Sequence, residues 1–383
     1  MARGLGELRP VQARIDLARL RENYRAVAAF TRLPVMPVVK ADAYGHGAAT
    51  IARVLEGCGA QRFAVGYPEE GAQLRQAGIH APIVVLAGFT AEQVPLLARR
   101  TLSPVVATPA QLEAILNAHT GALFAVHLKL DTGMARLGFD AEGLLRAAAA
   151  LQRQPHIRIA GLMTQLAAAD EDAAFTEKQL DRFDAAIERL AGEGVRPSLV
   201  HAANSAGLAQ LRPSHTLVRP GLLLYGLRPR PLAPPIDVRP VMSVSARVSL
   251  VKEVAAGTPI SYGGRFVTAR ASRIATLPIG YADGVPRTEA MTEAGGFAFG
   301  ARRARIAGNV SMDLTMLDVT DLEDVAAGDE ALLFGDAPTA WDVAEFAGTN
   351  AWQALTAIGS RVPRVYLDGG TSGGTESRYL LHE

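Results

Sequence analysis

The stretch IAGLMTQLAAADEDAAFTEKQLDRFDAAIERLAGEGVRPSLVHAA, residues 159–203, reads as strand, helix and strand in succession. IAGLMT is short and apolar and ends at Thr164; SLVHAA is its counterpart and ends at Ala203. Between them Phe175, Leu180, Phe183, Ile187 and Leu190 recur at helical spacing, and Gly192 and Gly194 follow as stop signals. The same alternation continues outward. Toward the N-terminus AVHLKLD ends at Asp131, SPVVA at Ala107, IVVL at Leu86, FAVGY at Tyr67, and VMPVV runs into Lys40; toward the C-terminus LVRPGLLLYG ends at Gly226. Eight such runs alternating with helical patterns predict an α/β fold, a (β/α)8 TIM barrel. An open doubly wound sheet is the alternative, but no G-x-G-x-x-G opens a helix after a strand, so a dinucleotide site has no support.

The pattern breaks at RPRPLAPPIDVRP, residues 228–240, a proline-rich stretch that reads as a stiff linker. Beyond it the period becomes two. VMSVSARVSLVKEV alternates, SYGG, ADG and GG punctuate short runs, and only WDVAEFAG and NAWQALTAIG are helical. Residues 12–235 are expected to form the barrel and 236–370 a mostly β C-terminal domain, joined by residues 1–11. At 383 residues, with 49% hydrophobic and 20% charged, the chain can bury two cores, which excludes a disordered or fibrous protein. Lys plus Arg (39) against Asp plus Glu (38) leave a net charge of +1. With no basic run, neither nucleic acid nor an anionic membrane is an expected partner. The single cysteine, Cys58, can form neither an internal disulfide nor a thiolate zinc cluster, and no metal is expected. No apolar run reaches membrane-span length and no signal-peptide core opens the sequence, so the expectation is a soluble, cytoplasmic protein.

Barrel enzymes place their chemistry at the C-terminal ends of strands. Lys40 stands there, where partial burial lowers the pKa of an amine and frees it for imine chemistry; an ordinary surface lysine is the plain alternative. On the fifth run His127, Lys129 and Asp131 alternate with Val126, Leu128 and Leu130. The three polar residues therefore share a face, and a lysine inside the barrel needs a negative partner. Asp131 is the nearest candidate; Arg136 is a like charge. The last two runs end in Asn204-Ser205-Ala206-Gly207 and Arg219-Pro220-Gly221-Leu222, in the loops that usually cradle phosphate in this architecture. Alone, Ser and Gly there are turn residues more often than ligands; beside Lys40 they gain weight.

VVKADAYGHG resembles the pyridoxal-phosphate attachment motif of alanine racemases. HLKLDTGMARLGF, AADEDAAFTEKQLDRF, HAANSAG, VRPGLLLYG, ISYGGRF, LPIGYADGVPR, GNVSMDLTMLD and RVPRVYL resemble that family's further blocks in order and spacing, as does RPVQARIDLARLRENYR. The resemblance implies a barrel plus a β domain, and a homodimer in which each active site borrows residues from the partner's β domain. It implies a racemase that supplies D-alanine, which the family provides for peptidoglycan. By matching motif, Lys40 would hold pyridoxal 5'-phosphate, with Tyr44, Ser205 and the backbone of Gly221 and Leu222 on its phosphate. Arg136 would approach the cofactor phenolate and the substrate carboxylate, and Arg219 the pyridine nitrogen. Tyr262 would be the second base, with Met312 and Asp313 lining the substrate site, these three across the dimer interface. Lys129 would be carboxylated by carbon dioxide, the missing anion beside Arg136. Tyr44, Tyr262 and Tyr281 are otherwise interface aromatics, and Met312 packing.

Two positions depart from the family: Gln165 replaces its histidine, and Trp352 replaces a phosphate-binding tyrosine. Gln165 can hydrogen-bond Arg219 but carries no proton, and Trp352 offers only an indole N–H. A racemase of serine or of broader range is an alternative. So is an amino-acid decarboxylase of the same fold, although that class uses an acid against the ring nitrogen and a cysteine where this chain has Arg219 and Ser311. A non-catalytic cofactor carrier would leave residues 241–367 unexplained.

Overall fold

Proline placement decides how regular the first and eighth staves of the barrel can be. The computed structural model describes residues 9–118, 123–369 and 371–376. Six parallel strands, Phe63–Val65, Ile83–Val85, Leu102–Val106, Phe124–Lys129, Ile157–Met163 and Leu199–His201, pair in sequence order. The first and eighth expected strands are reduced to bridges, Val35 with Val218 and Val38 with Ala64. Pro34, Pro37 and Pro220 have no N–H, so a continuous ladder cannot form there. Their carbonyls still accept from Val218, Ala64 and Val38, and Arg219 N donates to Ala203 O, which closes the ring through eight staves. Within the eighth run, Leu222–Tyr225 is a 3-10 turn rather than strand.

Helices Ala48–Gly57, Pro68–Gln76, Val94–Arg99, Pro109–Leu116, Ala141–Gln152 and Ala173–Gly192 connect the staves. The last begins at Asp172, whose carboxylate accepts from Phe175 N as an N-cap. Its buried face is turned relative to expectation: Thr176 and Gln179 are buried with Leu180, Phe183 and Leu190, while Phe175 and Ile187 are half-buried. A buried glutamine is tolerated because it is satisfied. Gln179 Oε1 accepts from Ala167 N, and Nε2 donates to Thr132 Oγ1 and Gln165 O.

The second unit is a ten-stranded sheet in the order Thr371–Glu376, Arg364–Asp368, Val11–Asp16, Met242–Arg247, Glu330–Phe334, Gly296–Phe299, Arg302–Ile306, Thr315–Asp318, Ser272–Leu277, Leu250–Val254. Val11–Asp16 pairs parallel with Arg364–Asp368 and antiparallel with Met242–Arg247. Its strict burial alternation marks a strand with one face in the core. Division by compactness falls at Arg19–Leu20 and Val238–Arg239 and groups Tyr44–His46 with the sheet. A barrel beginning at residue 12 would cut through Val11–Asp16, which pairs only within the sheet. Residues 1–8 and 370 of the expected β domain lie outside the described residues. Among the described residues no helix is long and apolar enough to cross a membrane.

Candidate active site

Lys40 begins a turn of helix, Lys40–Gly45, in which Ala41, Asp42, Ala43 and Tyr44 have φ of 51, 53, 54 and 54°. The turn is left-handed. L-residues resist that hand by about 1–2 kcal/mol each, so its surroundings must hold it. Glu70 does part of this: one oxygen accepts from Ala41 N (2.7 Å), the other from Gly66 N and Tyr67 N. Asp42 Oδ1 accepts from Ala48 N at the far end. Lys40 keeps exposed surface, yet desolvation and then Arg136 lower its pKa, with Glu70 opposing. Tyr44 is buried, and burial pushes its hydroxyl up.

Lys129 is 4% exposed. Burial, Arg219 and Arg136 push it down to about 8, Asp131 opposes, and Lys40 adds to the fall. The sequence offers Asp131 as its partner, but that carboxylate is engaged elsewhere: Oδ1 accepts from the N–H groups of Gly133, Met134 and Ala135. Asp131 thus shapes the loop that presents Arg136. Ser205 Oγ accepts from Gly221 N (3.0 Å) and Leu223 N (3.3 Å), so two backbone donors converge on one oxygen.

Arg219 is 3% exposed. Burial pushes it down to about 9. Its five hydrogen bonds reach His201 Nδ1 (2.8 Å), His201 O (2.7 Å), Thr164 O (3.0 Å), Gln165 Oε1 (3.3 Å) and Ala202 O (3.1 Å). Every acceptor is neutral, and every bond runs through Nη1 or Nη2. Gln165 therefore does hold Arg219, as its amide allows.

The sheet unit carries the remaining residues. Tyr262 is 73% exposed and Met312 53%. They line a cavity of about 840 Å³ with Ser261, Tyr281, Arg287, Ser311 and Asp313. Ser261 precedes Tyr262 at φ 62°, and Asn309 fixes that corner by donating to Tyr262 O and accepting from Ser261 Oγ. Arg361 donates to Asp313 Oδ1 (2.7 Å), to Met312 O and to both oxygens of Asp283. Asp283, fully buried, is clasped from the other side by Arg9. Desolvation alone would raise its pKa; Arg9 and Arg361 bring it below the usual carboxylate range. Sequence reading missed Arg361 and Asp283 because RVPR and GYADG do not reveal that their charges meet. Trp352 packs edge-to-face on Trp341, with ring centroids 5.6 Å apart.

Comparison with known proteins places this geometry. The family profiles "Alanine racemase, N-terminal domain" and "Alanine racemase, C-terminal domain" match residues 15–229 and 241–366. An alanine racemase of Halothermothrix orenii is 41% identical over 372 residues, covering 94% of this chain and 97% of that one. The solved alanine racemase of Clostridium difficile 630 superposes with a TM-score of 0.92 at 32% identity, covering 97% and 99% of the two chains. The alanine racemase of Bacillus anthracis with bound L-Ala-P gives 0.90 at 30% identity, covering 96% and 98%. Two profiles that together cover nearly all of the chain, and relatives matched along almost their full length, show that it belongs to the alanine racemase family.

Proposed function

We propose that the chain is an isomerase that interconverts L- and D-alanine with pyridoxal 5'-phosphate, as a homodimer with shared active sites. The observation that carries the reading is Arg219, buried without a carboxylate among the described residues and held by neutral acceptors. A phosphorylated pyridine fits the barrel residues. Lys40, Arg136 and Arg219 supply positive charge for an anionic group, Ser205, whose Oγ accepts from Gly221 N and Leu223 N, keeps its own O–H to donate to a phosphate oxygen beside the Gly221–Leu222 backbone, and Tyr44 adds a hydroxyl. When bound, the cofactor withdraws electron density from the α-carbon and so acidifies its proton.

The chain's own residues then decide where that proton goes. Lys40 Nζ, its basicity lowered by burial and Arg136, moves the proton on the face used by the D antipode. Tyr262 of the partner subunit serves the L antipode on the opposite face. Arg136 holds the substrate carboxylate, and Met312 and Asp313 of the partner subunit line the pocket. A guanidinium keeps its proton at neutral pH, so Arg219 would hold the cofactor's ring nitrogen by donating a hydrogen bond without giving up that proton. A decarboxylase would need an acid in that place. The D-alanine formed is suited to peptidoglycan supply.

The test is incubation of purified holoenzyme with L-alanine, then with a panel that includes serine. D-alanine should accumulate until the antipodes are equal, without carbon dioxide, and Lys40→Ala should abolish turnover while the barrel stays folded. Release of carbon dioxide, or ordinary turnover by the Lys40→Ala variant, would reject the proposal.

A further inference from the structure

Behind Arg219 the barrel interior holds two histidines whose proton positions are forced. Arg219 Nη1 can only donate, so His201 Nδ1, 2.8 Å away, must present its lone pair. Both imidazoles are buried among cations. Burial and neighbouring arginines push His127 down to about 3 and His201 well below its ordinary value, so both are neutral at pH 7. The proton of His201 therefore sits on Nε2 and points at His127 Nδ1, 2.8 Å away. His127 must in turn accept at Nδ1 and carry its own proton on Nε2. The result is a one-way chain of donors, Arg219 to His201 to His127.

The backbone makes room for this chain at one position. His127 lies on Phe124–Lys129 and His201 on Leu199–His201, with Ile157–Met163 between them. Gly161 is the residue of that middle strand paired with His127, just after a register shift at Val126–His127. A Cβ on Gly161 would overlap His127 Nδ1, the accepting atom itself. The imidazole crosses the middle strand over a missing side chain to reach the next strand but one.

We infer that His127, seated on Gly161, is a positioning residue that orients Arg219 by holding the tautomer and rotamer of His201. A residue that only filled core volume would need neither the glycine beneath it nor an accepting nitrogen. The inference rests on the racemase reading only for its kinetic consequence; the tautomers and contacts stand without it.

The experiment compares native, His127→Leu and His127→Gln holoenzymes labelled with 15N-histidine. In the native protein His201 should appear as a neutral ring protonated on Nε2, its N–H shifted downfield by a hydrogen bond. His127→Leu fills the space but accepts nothing. The downfield signal should vanish, and kcat for alanine should fall about tenfold to a hundredfold with KM little changed, the size of effect typical of groups that orient a site residue. His127→Gln can accept through its amide oxygen and should restore both the signal and most of kcat. A native His201 protonated on Nδ1, a downfield signal unmoved in His127→Leu, or a glutamine variant as slow as the leucine variant would overturn the inference. If the protein proved not to racemise alanine, the kinetic arm would lapse and the resonance positions would still decide the matter.

Discussion

Lys129 has Arg219, Arg136 and Lys40 as its cationic surroundings, and Asp131 is committed to the loop N–H groups beside it. With a pKa pushed down to about 8, part of this lysine is a neutral amine at neutral pH and can add to carbon dioxide. The product would be an anion placed among cations. We therefore expect the native protein to weigh one carboxyl more than its sequence and to lose that mass on acidification; an unmodified mass in bicarbonate would remove the idea. Stability carries the same signature. An unmodified Lys129 binds fewer protons folded than unfolded between pH ~8 and its unfolded pKa of ~10.4, so stability should rise with pH across that window. Carboxylation should flatten the rise, and urea midpoints with and without bicarbonate read the difference. Tyr262 offers a second residue-scale test. Because the two antipodes are equally stable, Tyr262→Phe must lower kcat/KM equally in both directions, by about 10²–10⁴-fold for loss of a general base. The α-deuterium isotope effect should rise more for L-alanine than for D-alanine. An equal change for both would leave Tyr262 only a shaping role.

Lys40–Gly45 shows what an element can hide from its sequence. VVKADAYGHG ends a stave with its lysine, and that much was legible. The left-handed turn was not, because Ala41, Asp42, Ala43 and Tyr44 have no preference for positive φ; contacts to Glu70, distant in sequence, impose it. The same holds elsewhere. The helix Ala173–Gly192 was visible by its period, but its buried Gln179 depends on Thr132 and Gln165, which no local pattern reports. The turn yields a prediction. Ala41 is exposed, so Ala41→Gly removes strain and few contacts. Relief of about 1–2 kcal/mol, less the 0.5–1 kcal/mol that glycine adds to the freedom of the unfolded chain, should stabilise the protein by roughly 0.5–1 kcal/mol. Activity should fall because Lys40 loses a rigid neighbour. Denaturation midpoint and kcat measured on one preparation check both; a lower midpoint would mean the turn is not strained.

For the whole molecule, the proposed exchange of residues between subunits can be read without a structure of the dimer. Lys40→Ala chains should be inactive alone, and Tyr262→Phe chains slowed at least about a hundredfold. Mixed and allowed to exchange freely, they should regain about a quarter of the sites, because half the dimers are mixed and each then holds one intact pair. No recovery in demonstrated mixed dimers would put Tyr262 in its own subunit's site. Val11–Asp16 has a consequence of another kind. It is made well before its partners, Met242–Arg247 and Arg364–Asp368. At about 5–20 residues per second, Ile15 waits on the order of ten to fifty seconds for Met242, and longer for the strand on its other side. Every stave of the barrel is translated within that wait. The strand therefore waits unpaired while the residues of all eight staves are made, and its place in the sheet is complete only after Arg364–Asp368 has followed them.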